Sequence, residues 1–188
     1  MINQKYFEKF PQLQTERLLL RKLELKDAAH LQKIRSNDLV MAYMDSDLHR
    51  DVKASEAFIA SNLESYEQNN GFFWAITAVG AGSFLGDIIL RKIDRTNARA
   101  EIGYTLKPEF WGRGYMKEAM RAVINFGFKE LQLHSIEANI NPANKTSRGL
   151  LLKMGFVKEA YFRENYYYDG KFLDSEIYSL LEKDFEQQ

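Results

Sequence analysis

The chain has 188 residues, 45% of them hydrophobic, which suits one domain with a buried core. Lys plus Arg number 26 and Asp plus Glu number 26, so the formal net charge is zero and no global field points to nucleic acid or an anionic membrane. There is no cysteine, which excludes disulfides, thiolate metal centres and a cysteine nucleophile, and no apolar run approaches the roughly 18 residues of a membrane helix.

The opening MINQKYFEKFPQLQ has no apolar core before a small-residue cleavage site, so no signal peptide is read and a cytoplasmic protein is expected. RLLLRKL at 17–23 predicts a first strand. Asp27 then caps a helix with Ala28, Leu31 and Ile34 on one face. Residues 37–50 read as irregular. A second helix fits 52–68, with Val52, Ile59, Leu63 and Tyr66 on its stripe. FFWAITAV (72–79) and FLGDIILRKI (84–93) predict two strands joined by a GAG turn.

ARAEIGYTL (98–106) alternates. Ala98, Ala100, Ile102, Tyr104 and Leu106 share one face, and Arg99, Glu101, Gly103 and Thr105 the other. A helix follows from about 114 to 129, burying Met116, Ala119, Met120 and Val123. SIEANI (135–140) is a further strand. Asn144 opens a short helix that Gly155 ends. The pair Asp169-Gly170 between aromatic-rich runs predicts a hairpin. The order gives an α+β fold, a mixed sheet that is largely antiparallel, in one domain spanning 1–188 with its core at about 15–181.

The stretch EFWGRGYMKEAM (109–120) sets Gly112 and Gly114 between a strand and an amphipathic helix. A helix N-terminus has unpaired N–H groups and partial positive charge, and a loop without side chains lets an anion reach them. The plain alternative is a tight turn. A nucleoside-triphosphatase loop needs Gly-Lys-Ser/Thr, but Tyr115 and Met116 follow Gly114 here. A dinucleotide fingerprint needs a third glycine and an early βαβ unit, and both are missing. His30, His49 and His134 show no paired ligand spacing, so no metal is expected.

AEIGYTL, EFWGRGYMKEA, NPANKTSRGLLLKMGF and YYYDGKFLDSEIYSL, in this order, resemble the GNAT superfamily of N-acetyltransferases. TERLLLRKLELKDA and the KMGF ending resemble its RimJ/RimL-type branch. The resemblance covers about Thr15 to Leu181. It implies the acyl-CoA N-acyltransferase fold, a twisted sheet flanked by helices and splayed between 98–106 and 135–140, where acetyl-CoA sits as co-substrate.

By the same resemblance, backbone N–H groups of Trp111, Gly112, Arg113, Gly114, Tyr115 and Met116 hold the pyrophosphate. The strand edge at Ile102, Tyr104 and Leu106 pairs with the pantetheine arm. Asn139, Asn144, Ser147 and Lys153 complete the co-substrate site. The family's loop opens on Gln or Arg where this chain has Glu109, a change that a backbone-built loop tolerates.

Ser147, of the Asn-x-x-Ser pattern, is expected at the sulfur. Glu101 or Glu137 is expected as the base, each with the alternative of pairing with a nearby Arg or Lys. A Glu that serves some RimL-like relatives is replaced here by Tyr166, with Glu164 two residues earlier. A backbone N–H near Ile102 to Tyr104 is the implied oxyanion donor. Met41, Tyr43, Tyr161, Tyr166 and Tyr168 are expected to line the acceptor pocket, with cation–π contact to an ammonium available.

An α-amine with pKa about 8 is neutral to about a tenth near pH 7, and a lysine amine at about 10.4 far less. A site without a decisive base therefore favours a protein N-terminus, the acceptor the branch also implies. The alternatives are a small amine (polyamine or antibiotic), a non-catalytic acyl-CoA-binding module, and a nucleotide-binding domain. No nucleic-acid or membrane partner is expected, and the aromatic hairpin suits a homodimer.

Overall fold

The computed structural model describes residues 2–185; residue 1 and residues 186–188 of the expected 1–188 span lie outside them. The elements in order are α1 (Lys5–Glu8), β1 (Leu13–Gln14), β2 (Leu18–Lys22), α2 (Ala28–Arg35), α3 (Asp38–Met41), α4 (Val52–Glu67), β3 (Gly71–Ala78), β4 (Phe84–Asp94) and β5 (Arg99–Leu106). Then come α5 (Tyr115–Asn125), β6 (Ser135–Ile140), α6 (Lys145–Lys153), β7 (Val157–Tyr168), β8 (Lys171–Leu181) and α7 (Glu182–Phe185). The strands form one sheet in the order β1-β2-β3-β4-β5-β6-β8-β7.

Each neighbouring pair is antiparallel except β5 and β6, which run parallel. That pairing covers Arg99 with Ser135, Ala100 with Ile136 and Glu101 with Glu137, and then stops. Beyond it, β5 stays bonded to β4 out to Leu106, and β6 stays bonded to β8 out to Ile140. The edge of β5 from Ile102 to Leu106 that faces β6 therefore has no strand partner among the described residues. This is the splay that the sequence resemblance implied.

Helices cover both faces, which is why β3 reads as a continuous apolar run rather than an alternating one. On one face Leu20, Trp74, Ile88, Leu90 and Ile102 pack under Ala119, Met120, Val123 and Ile124 of α5 and Leu151 of α6. On the other, Phe73, Ala75 and Phe84 pack under Ala28, Leu31 and Ile34 of α2 and Ile59 of α4. Removing each such Leu, Ile or Phe from water contributes about 1.5–3 kcal/mol.

Four local expectations change. Asp27 makes no cap bond to α2. It closes a 3₁₀ turn at Leu25–Asp27, accepts from the Glu24 N–H at 3.0 Å, and has both carboxylate oxygens held by the Arg21 fork. Val52 is exposed, and Ser55, Ile59 and Tyr66 form the buried stripe of α4. Residues 37–50 contain α3, capped by the Asn37 side chain. The helix expected to 129 is α-helical only to Asn125. A π turn at Phe126–Glu130 follows and puts Phe126, Gly127 and Phe128 all in the core. The hairpin turn is as expected, with Asp169 at φ 45° and Gly170 at φ 76°.

Candidate functional site

The glycine loop joins β5 to α5. Gly112 (φ 73°) and Gly114 (φ 80°) are both left-handed, a conformation that costs an ordinary L-residue about 1–2 kcal/mol. No backbone N–H from Gly112 to Lys117 has an acceptor among the described residues; Glu118, bonding Gly114 O, is the first that does. Six consecutive donors thus converge at a helix N-terminus, with open space around Gly112. Trp111 is a correction. Its N–H already donates to Pro108 O, and its indole Nε1 donates to Leu106 O at 2.7 Å.

Arg17 pins this loop from the start of β2. Its Nε lies 2.6 Å from Glu118 Oε2, its Nη1 donates to Arg113 O at 3.1 Å, and its guanidinium sits 4.4 Å above the Tyr115 ring. Glu118 also accepts from the Thr15 hydroxyl and the Arg17 N–H. Burial pushes the Glu118 carboxyl up, but these partners outweigh it and hold the group below the usual range. Sequence reasoning missed this clamp because its members are about a hundred positions apart. Arg113 is exposed, and Tyr115 and Met116 are half-buried.

At the splay, Ile102 and Leu106 have buried side chains, so only their backbone can meet a ligand. Tyr104 points to the α6 face, and its Oη is fully buried with no hydrogen-bond partner among the described residues. The Ser147 hydroxyl lies beside it without hydrogen-bond geometry. Burial pushes the Tyr104 hydroxyl up to about 12, so it stays protonated.

Asn144 caps α6: its Oδ1 accepts from the Ser147 N–H at 3.0 Å, which leaves its Nδ2 available. Arg148 fastens α6 to the sheet by bonding Pro142 O and Glu176. Lys153 lies apart from these groups. It is exposed in the last turn of α6, six residues from Ser147 and on another face of the helix, where a cation suits the helix dipole.

Glu101 and Glu137 face the opposite side of the sheet, toward α2 and α4. Glu101 is 5% exposed and held by both Arg91 and Lys92. Burial raises its carboxyl, but the Arg91 charge and bonds from Lys92 and Arg91 outweigh that and lower it. A carboxylate stabilised in this way is a poor proton acceptor, so the geometry favours the paired alternative over the base. Glu137 is likewise paired with Arg99, at 2.9 Å, and Asn139 beyond it is exposed. Deeper on this side, Arg35 lies 3.6 Å from the fully buried Asp87, which accepts from the Thr105 hydroxyl.

Tyr166 and Tyr168 reach toward the loop after α3. The Tyr166 hydroxyl donates to Asp45 and lies beside Asn141, which follows β6 at the mouth of the splay. Burial and Asp45 push that hydroxyl up. Tyr168 bonds Asp47 at 3.4 Å. A cleft of about 700 Å³ opens here, lined by Met41, Tyr168, Arg50 and five aspartates: Asp38, Asp45, Asp47, Asp51 and Asp169.

Three expected lining residues fall outside this cleft: Tyr166, which only bonds Asp45 of its wall, Tyr43 and Tyr161. Tyr43 is 42% exposed and off its wall. Tyr161 pairs with Glu176, so its side chain is on the α6 face, where it bonds Asp174. Tyr161 and Tyr166, five positions apart on β7, fall on opposite faces of the sheet. The aspartates were visible in the sequence as MDSDLHRD (44–51), an acid-rich run in a segment read only as irregular.

Residues 17–157 match the family model described as "Acetyltransferase (GNAT) domain". The uncharacterized N-acetyltransferase YoaA of Bacillus subtilis (strain 168) is 33% identical over 172 residues, covering 92% of this chain and 97% of that protein. The [ribosomal protein uS5]-alanine N-acetyltransferase of Escherichia coli (strain K12) is 28% identical over 123 residues, 65% of this chain and 63% of that one. The spermidine N-acetyltransferase from Vibrio cholerae, solved with CoA and spermine, superposes with TM-score 0.80 at 20% identity, over 92% of this chain and 99% of that one. Among the described residues no helix is long and apolar enough to cross a membrane.

Proposed function

The chain belongs to the GNAT acetyltransferase family, and on that premise we propose that it transfers the acetyl group of acetyl-CoA to a neutral primary amine on a cationic acceptor, foremost a protein N-terminal α-amine. The observation that carries the reading is the parting of β5 from β6 after Glu101, beside six N–H groups at the start of α5 that have no acceptor among the described residues. Acetyl-CoA supplies an activated acyl group: the amine nitrogen bonds to the thioester carbon, the C–S bond breaks with its electron pair going to sulfur, and the proton lost by nitrogen balances the one gained by the thiol.

The chain's own residues divide the remaining work. The N–H groups of Gly112 to Lys117 suit a pyrophosphate, and the free edge of β5 at Ile102 to Leu106 suits an extended amide arm. Asn144 Nδ2 is a spare donor beside them. Ser147 would donate to the sulfur, and a backbone N–H of Ile102 to Tyr104 to the carbonyl oxygen. Glu101 and Glu137, both ion-paired, would shape the electrostatics without drawing a proton strongly.

The acceptor reading rests on two observations. With no strong base, an amine that is already about a tenth neutral is the better nucleophile, which favours an α-amine. The aspartate-lined cleft favours positive charge around that amine, as in a basic N-terminal segment. The same five carboxylates support a second reading, a polyamine, whose regularly spaced charges they would match. Asp45→Asn with Asp47→Asn tests the cleft. KM for a cationic acceptor is expected to rise about tenfold while acetyl-CoA affinity stays unchanged. An unchanged KM would remove the cleft from acceptor binding.

A further inference from the structure

We infer that the Tyr104 hydroxyl is a positioning group for acetyl transfer: once acetyl-CoA fills the splay, it donates to Ser147 Oγ and thereby aims the Ser147 proton at the sulfur. The inference rests on the reading of Ser147 given above. It starts from an anomaly in the core. Tyr104 Oη is fully buried and unpartnered among the described residues, a condition shared only by Arg35 Nε. A buried hydroxyl without a partner is destabilising, and phenylalanine would fill the same space without it. The chain nevertheless carries tyrosine at this position.

Its place in the fold gives the hydroxyl a use. Tyr104 lies two residues beyond Ile102, where β5 has lost β6, and its ring packs into the core layer that α6 covers. The Ser147 hydroxyl is beside it, in the first turn of α6. A serine hydroxyl has one proton and two lone pairs. Left alone, it turns freely or bonds back to a helix carbonyl. When it accepts from Tyr104, one lone pair is occupied and its own proton is directed away, toward the open splay.

The electron pair of the breaking C–S bond then meets a fixed O–H donor. The amine's surplus proton reaches the thiol overall, and both hydroxyls end as they began. Tyr104 stays protonated throughout, since burial disfavours its ionised form.

Tyr104→Phe, Ser147→Ala and the double variant test this in the full chain. The readouts are melting temperature, coenzyme A affinity by calorimetry, and kcat on a peptide with a free alanine N-terminus and on spermidine. The relay predicts that Tyr104→Phe melts at or above the wild-type temperature, binds coenzyme A within about twofold, and loses about tenfold in kcat. It also predicts that the double variant is no slower than Ser147→Ala.

Wild-type kcat in Tyr104→Phe beside a slow Ser147→Ala would overturn the relay alone. Wild-type kcat in Ser147→Ala would overturn the Ser147 reading and the relay with it. Multiplying losses in the double variant, or a lowered melting temperature in Tyr104→Phe, would also overturn the relay: the first makes Tyr104 independent of Ser147, the second makes its hydroxyl structural.

Discussion

Single residues here are decided by their partners. Glu101 looks like a base in sequence because it alternates onto the polar face of its strand, yet Arg91 and Lys92 neutralise it from the neighbouring strand and its bulge. Both cations are half or more exposed, so breaking the pairs costs less than in a dry core. Glu101→Gln is expected to lose about 1–2 kcal/mol of stability by denaturant titration. Because no proton transfer depends on it, kcat should fall less than tenfold, with an unchanged pH profile. A loss of a hundredfold or more with a shifted acidic limb would restore it as the base. Such pairings are invisible in a single sequence, since register decides which charge stands opposite. The Asn144 cap and the first turn of α6 were legible because a helix start and its cap are local.

At the scale of elements, the strands and helices were readable wherever periodicity was long. β3, β4, β5, α4 and the final hairpin lie within a residue or two of expectation. Short pieces such as α1 and β1 were not, because four and two residues hold too little pattern. Tyr161 was grouped with Tyr166 and Tyr168 as pocket lining, although an odd separation of five positions along β7 puts it on the other face from Tyr166.

The glycine loop carries the element-level prediction. Gly114→Val places a β-branched residue at φ 80° with its Cβ 3.5 Å from Arg17 Nη2, so the loop that aligns the free N–H groups must leave its conformation. Acetyl-CoA affinity should fall at least a hundredfold, measured by calorimetry, with the fold retained by circular dichroism. Wild-type affinity in a folded variant would exclude the loop as the anion site.

Across the whole molecule, ionised carboxylates tie distant segments together, and acid should undo them. Asp27, Glu101, Glu118 and Glu176 all have carboxyls held below their ordinary values, each with burial opposing and cationic or hydrogen-bonding partners prevailing. Each therefore adds stability that is fully present above its unfolded pKa, about 4, and is lost as pH falls through its folded value. Burial lowers His49, with Arg35 adding to the effect, so its contribution fades as pH drops below about 6.5. Asp87 runs the other way. Burial raises it despite Arg35 and Thr105, so its contribution is complete below its unfolded value and lost as pH rises through the folded one.

The larger set predicts a melting temperature that is level above about pH 7, declines slightly toward pH 5 and falls steeply below about pH 4. A flat profile down to pH 3 would mean that these pairs contribute nothing net. The fold itself was legible at this scale because four motifs in order specify it, and the splay followed from that order. The aspartate-lined cleft was not, since it joins the loop after α3 to a hairpin about 120 positions later.

The most direct measurement is coenzyme A release from acetyl-CoA by the purified chain, with free-N-terminus peptides, N-blocked lysine peptides and polyamines as acceptors. The account predicts turnover, fastest on free N-termini followed by basic residues, and acetylation of the α-amine by mass. Turnover confined to polyamines would keep the transfer chemistry and replace the acceptor. Tight acetyl-CoA binding without turnover on any amine would contradict the claim that this splayed sheet is a working transferase site.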